Sequence, residues 1–205
     1  HDDTETLRQI RTGARNSMVK LDKIYTRGGD GGETSLGDGN RVPKHSARVH
    51  AQGDIDETNA AIGLARRFAG TDETTSALLA RVQNDLFDLG ADVTRPGDDP
   101  ADGALRIQPG QVERIEQEID RINEGLEPLK SFILRGGTDL AAALHFACTV
   151  CRRAERMLSA LSAEEPLNPH GLKYINRLSD LLFVMARAAN DSGTTDILWK
   201  PGENS

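Results

Sequence analysis

Leu140, Leu144, Ala147, Cys151, Ala154, Leu158 and Leu161 recur in alternating steps of four and three. Steps of that kind put side chains on one stripe of an α-helix, so Thr138 to about Leu161 is predicted to be a long helix with a buried seam. A seam of that length must be covered by other helices, and the rest of the chain supplies them. Ser46 to about Phe68 carries Val49, Ile55 and Ile62 on one side. From about Thr74 to Val93, Leu78, Leu79, Val82, Leu86, Leu89 and Val93 repeat the pattern. Pro109 opens a third helix, where its missing N–H leaves nothing unsatisfied, and Val112, Ile115, Ile119, Ile122 and Leu126 follow. From about Leu172 to Ala189 the stripe is Ile175, Leu178, Leu182, Met185 and Ala189. No segment reads as a convincing strand. The expected fold class is all-α: a five-helix bundle of the ferritin-like, up-down kind.

The composition agrees. Of 205 residues 37% are hydrophobic and only 4% aromatic, so the core must be aliphatic and alanine-rich, which favours close-packed helices. The net charge of −7 argues against a nucleic-acid binder, which would show phosphates a basic face. No apolar run approaches the roughly 18 residues of a membrane span. The expectation is a soluble, cytoplasmic protein with neither nucleic-acid nor membrane partner. Residues 1–17 are polar and read as a leader or tag-derived disordered segment, with residues 18–205 forming one helical-bundle domain.

Two features carry candidate chemistry. Residues 25–44, YTRGGDGGETSLGDGNRVPK, are too rich in glycine for a helix, and their backbone N–H groups can form a concave anion site. Thr26, Thr34 and Ser35 add hydroxyls and Lys44 a cation, but no lysine precedes Thr34 or Ser35, so this is not a Walker A loop. The second feature is a polar stripe, His145, Thr149, Arg152 and Arg156, beside the apolar seam, answered on the last helix by Asn176, Asp180, Phe183 and Arg187. A solvated face with i,i+4 pairs explains such a stripe ordinarily. Against that, RRAER places Arg152, Arg153 and Arg156 within five residues. Guanidinium groups that close repel unless an acid or an anion such as triphosphate answers them. His145, Cys148 and Cys151 lack a fourth metal ligand, and Cys151 falls in the apolar seam. Asp54, Asp56 and Glu57 either favour the N-terminal dipole of the first helix, ligate Mg²⁺ or pair with arginine.

Three ordered blocks resemble the PduO-type ATP:cob(I)alamin adenosyltransferases. They are IYTRGGDGGETSLGDGNRVPK followed by GDIDETNAAIG, then FILRGGTDLAAALHFACTVCRRAER, then YINRLSDLLFVMAR, spanning Ile24 to Arg187. The resemblance implies a homotrimeric five-helix bundle that binds ATP between subunits. It implies transfer of the 5′-deoxyadenosyl group of ATP to reduced cobalamin, giving adenosylcobalamin and triphosphate, with Mg²⁺ on the phosphates. An adenosylcobalamin-dependent mutase is the expected recipient. By motif, Thr26, Arg27, Gly28, Gly29, Thr34, Ser35, Lys44, Arg152, Arg153, Glu155, Arg156 and Asn176 would contact ATP. Phe132 and Phe183 would face cobalamin, and Arg152, Phe132 and Asp56 would carry catalysis. Cobalt(I) is itself the nucleophile in such a reaction, so no activated serine or cysteine is needed.

The chain departs from the family pattern at two positions. Arg135 stands where FILPGG has proline. Cys148 stands where an arginine pairs with the acid matching Asp56 across the subunit interface. Two readings of other classes go with these departures: a carrier that holds adenosylcobalamin without turning over, and an ATP-responsive bundle with no corrinoid site.

Overall fold

A computed structural model describes residues 25–98 and 103–204. The expected leader at 1–17 lies outside the described residues. The chain divides into two units, residues 1–31 and 32–205. In the first, the described stretch from Tyr25 is a turn. Arg27 adopts φ +62°, its guanidinium lies 5.8 Å from the Tyr25 ring, and its carbonyl accepts from the Asp30 N–H at 3.2 Å.

The second unit begins with a small antiparallel hairpin, β1 (Glu33–Ser35) and β2 (Arg41–Pro43), in register Thr34 to Val42. The sequence reading had no strand here. The two three-residue strands are too short to show alternation, and Gly39 at φ +88° supplies the turn between them. Five helices follow: α1 (Ala47–Arg67), α2 (Glu73–Val93), α3 (Pro109–Asn123), α4 (Asp139–Glu164) and α5 (Pro169–Ala189). The five-helix expectation holds, with α3 ending at Asn123 short of Leu126, α4 running on to Glu164 rather than about Leu161, and α5 shifted at its start. α5 starts at Pro169 rather than near Leu172, because Asn168 caps it by accepting from the His170 N–H at 3.0 Å and proline suits the first turn. Thr138 caps α4 through Ala141 N–H, and Asp72 caps α2 through Thr75 N–H, which holds the Asp72 carboxyl below its ordinary pKa.

Alternate helices run in opposite directions. Arg48 near the start of α1 pairs with Glu165 just past α4, whereas Asp54 and Glu57 further along meet Arg153 in mid-α4. One aliphatic core joins all five helices, and Ile62, Leu79, Leu86, Leu144, Leu158, Leu178 and Leu182 are almost wholly buried. Two polar clusters tie the helices at set heights. Asp92 accepts from Arg106 Nη1 (2.9 Å), Ile107 N (2.8 Å) and Asn168 Nδ2 (2.7 Å), joining α2 to the segment before α3 and to the cap of α5. Asp85 accepts from the buried Tyr174 hydroxyl at 3.0 Å and pairs with Arg114. With its lone pairs answered, each buried carboxylate avoids the several kcal/mol of an unpaired charge.

The hairpin and the loop before α4 lie at opposite ends of this unit. The Gly37 N–H donates to Thr94 O at 2.9 Å, which fixes the hairpin at the end of α2 and the start of α1. Residues 131–138 lead into α4 at the other end. The 26 residues of α4 span about 39 Å at 1.5 Å per residue.

Candidate active site

The loop before α4 is held by the chain that follows α5. Leu134 N–H donates to Ile197 O (2.8 Å), Trp199 N–H to Phe132 O (2.7 Å) and Ser131 Oγ to Trp199 O (2.9 Å). Asn190, just past α5, closes the arrangement. Its Oδ1 accepts from Thr138 N–H (3.1 Å), and its Nδ2 donates to Gly136 O (3.1 Å) and to Asp196 Oδ1 (3.1 Å). Asp196 is in turn paired with buried Arg187 at 2.9 Å. The loop thus has a defined shape although it contains no regular element.

That shape is a groove of about 490 Å³ whose walls include Leu129, Phe132, Ile133, Phe183 and Trp199. Phe132 is 77% exposed and its ring centroid lies 6.0 Å from that of Trp199. An aromatic ring so exposed, on a loop so well tied, is poised to meet a large apolar ligand. The two charged residues lining the groove, Lys130 and Arg135, are both cations.

Below the rim, Arg135 makes two contacts. Its guanidinium carbon stands 5.3 Å from the centroid of the Phe183 ring, and Nη1 donates to His145 Nδ1 at 3.2 Å. Guanidinium has donors only, so His145 Nδ1 must accept and Nε2 carries the proton. The sequence places His145 in a polar stripe; in the fold it is buried, and among the described residues its Nε2 has no hydrogen-bond partner. Burial, reinforced by the Arg135 charge, pushes its pKa below the usual histidine value, while Asp196 pulls the other way. Cys148 is also buried, donates to Ser179 O at 3.3 Å and lies beside Arg135. The position that carries arginine in the family pattern therefore has a guanidinium next to it, supplied from the loop. Burial raises both thiol pKa values, that of Cys151 further, so neither is a ready thiolate.

Farther along α4, the three arginines of RRAER have different surroundings. Arg153 is paired with Asp54 (3.4 Å) and with Glu57. Among the described residues, Arg152 and Arg156 have no ion-pair partner; both are exposed, and Arg156 Nη1 donates to Arg152 O at 3.0 Å. Across on α5, Asn176 Nδ2 donates to Glu155 at 2.7 Å and its Oδ1 accepts from Arg177 at 2.6 Å. Asp180 nearby has its pKa raised by partial burial and by Glu155, against the pull of Arg177 and Arg152. Two exposed guanidiniums one helical turn apart present a cationic face. The family model for cobalamin adenosyltransferase matches residues 24–189, which takes in the groove loop, both polar helices and the hairpin.

The chain belongs to the cobalamin adenosyltransferase family. It is similar to the corrinoid adenosyltransferase of Mycobacterium tuberculosis, 48% identical over 90% of this chain and 96% of that one. The cobalamin adenosyltransferase of Cupriavidus metallidurans is 46% identical over 88% and 96%. Among solved structures, a variant of a PduO-type ATP:corrinoid adenosyltransferase from Lactobacillus reuteri, complexed with cobalamin and ATP, superposes with a TM-score of 0.81. It is 38% identical, with 87% of this chain and 99% of that one covered.

Within this cobalamin adenosyltransferase fold the motif residues fall into separate places. Phe132 and Phe183 line one groove. Arg152, Glu155, Arg156 and Asn176 lie on α4 and α5, Arg153 turns from α4 toward α1, and Thr34, Ser35 and Lys44 lie on or beside the hairpin at the far end. Thr26, Arg27, Gly28 and Gly29 belong to the first unit. Asp56 is exposed on the side of α1 that faces α2, beside Gln52, Asn59 and Phe87. Trp199 and the Arg135–His145 contact were not anticipated as parts of the groove. Trp199 is the chain's one tryptophan and lies outside every helical pattern, a signal that the tail does something besides end the fold.

Proposed function

We propose that this protein transfers the 5′-deoxyadenosyl group of Mg-ATP to cob(I)alamin, and that each site is completed by two subunits of a homotrimer. In the reaction the cobalt(I) electron pair forms the Co–C5′ bond, the C5′–O5′ bond breaks, and the bonding pair leaves with triphosphate. The protein's part is to align the reacting atoms and to meet the charge that collects on the leaving group.

The observation that carries this reading is the contrast between Arg153, answered by Asp54 and Glu57, and the unpaired Arg152 and Arg156 on the same helix. In this reading Arg152 and Arg156 receive the triphosphate, while Glu155 and Asn176 hold the neighbouring face rigid. Arg153, fixed by its two acids, adds charge at the edge. Lys44, Thr34 and Ser35 would hold phosphate and nucleoside oxygens. Phe132 would press on the lower face of the corrin, with Phe183 behind it, and exclude water and an axial ligand.

The need for two subunits is supported by distance. Lys44 lies near the start of α1 and Phe132 before the start of α4, toward opposite ends of a helix about 39 Å long, a separation that favours supplying them to one ATP–corrinoid pair from two copies. Exposed Leu64, Phe87 and Phe146 give a second copy apolar surface to bury, and Asp56 lies beside Phe87. Among the described residues no group of three or more His, Cys, Asp or Glu side chains is placed to hold a metal, so Mg²⁺ is written as part of the nucleotide substrate. No helix among the described residues is long and apolar enough to cross a membrane; we place the enzyme in the cytoplasm, supplying an adenosylcobalamin-dependent mutase.

Anaerobic incubation with chemically reduced cobalamin and Mg-ATP, followed by chromatography, should give multiple turnovers to adenosylcobalamin with one triphosphate each. Arg152→Ala should cut that rate at least about a hundredfold with the helical circular dichroism unchanged. Full activity in the variant would remove Arg152 from the role; product that stays bound after one turnover would indicate a carrier.

A further inference from the structure

The groove walls hold two cations and no carboxylate. Lys130 and Arg135 are both exposed, but Arg135 is held: its guanidinium lies over Phe183 and donates to a buried histidine. His145 serves as acceptor only while neutral, and burial keeps it so. A guanidinium tied at two points loses little entropy on meeting a ligand. The arrangement leaves a held positive charge in a groove whose other walls, Lys130 and Ser131 apart, are apolar.

We propose that Arg135 is an electrostatic positioning residue that favours the reduced, electron-rich form of the bound corrinoid. The inference rests on the reading of this groove as the corrin site. In the step concerned, bound cob(II)alamin takes one electron from an external donor such as a reduced flavin and becomes cob(I)alamin; no bond to the protein forms or breaks. The metal centre gains one negative charge, and a cation held against the bound corrin stabilises the product of that step more than its reactant. Phe132 removes a ligand by occupying space, whereas Arg135 acts through charge, so the two effects are separable.

The test is a spectroelectrochemical titration of cob(II)alamin bound to the full-length protein with Mg-ATP, in wild type, Arg135→Gln and Arg135→Lys. In Arg135→Gln the Co(I):Co(II) ratio at a fixed potential should fall about tenfold, equal to 59 mV for a one-electron couple. Arg135→Lys should recover most of the loss, and cob(II)alamin affinity should change less than threefold in both. An unchanged ratio in Arg135→Gln, or a loss just as large in Arg135→Lys, would overturn the charge role. A tenfold loss of affinity with the potential unmoved would also overturn it, making Arg135 a binding contact. If wild type with Mg-ATP leaves the cob(II)alamin spectrum unaltered, the corrin reading of the groove falls as well, which separates the two failures.

Discussion

The backbone N–H of Trp199 donates to the carbonyl of Phe132 over 2.7 Å, and their rings stand 6.0 Å apart, tilted at 56°. Through that pairing the chain after the last helix becomes one wall of the groove before α4. The exposed phenylalanine is therefore not a free side chain on a loop: its backbone is anchored on one side and its ring is braced by another.

Trp199→Ala should lower cobalamin affinity about tenfold, since an aromatic pair of this geometry contributes about 1 kcal/mol beyond area and the wall itself is lost. ATP affinity should be unchanged, because the arginine face lies well along α4. Parallel titrations with cob(II)alamin and with ATP check this; an equal loss for both ligands would mean that the tail supports the whole fold.

Gly137 adopts φ +111°, and a Cβ added there would overlap the Asn190 carboxamide. Gly137→Ala should cost about 3 kcal/mol from backbone strain and the displaced Asn190. For a chain of this length that is a fall of about 10 °C in Tm. Adjacent Gly136 has nothing within 4 Å of an added Cβ, so Gly136→Ala should leave the melting curve nearly in place. Similar losses in the two variants would refute the Asn190 clamp.

His145 gives a pH dependence of defined sign. Its folded-state pKa is held below 6.5, by burial first and then by Arg135, so the unfolded chain binds a proton before the folded one does as pH falls. Its contribution to stability is present above 6.5 and is lost as pH falls from there through the lower folded value. The urea midpoint should drop between about pH 7.5 and about pH 5.5, and His145→Asn should drop less over the same interval. Parallel curves for the two proteins would count against the buried neutral imidazole.

The amino-acid order alone carried the helices. Period is a local property: steps of three and four over some 20 residues suffice to set type and inward face, and the structure places all five where the seams run. Composition and the RRAER cluster likewise pointed to an aliphatic bundle with an anion face. The hairpin escaped notice because three-residue strands have no readable period.

Which polar groups are answered was decided only by tertiary structure. His145 and Arg152 are seven residues apart, nearly the same angular position on α4, and a helical pattern treats them alike. One is buried under Phe183 and Arg135 and the other stands in solvent, because the loop before α4 and the tail after α5 cover just one end of that face. Arg152 and Arg153 are neighbours in the chain, yet only Arg153 meets carboxylates, 96 to 99 residues earlier on α1. Pairings across such separations depend on how helices pack. No local pattern records them, and in this protein they determine which cations remain available to a ligand.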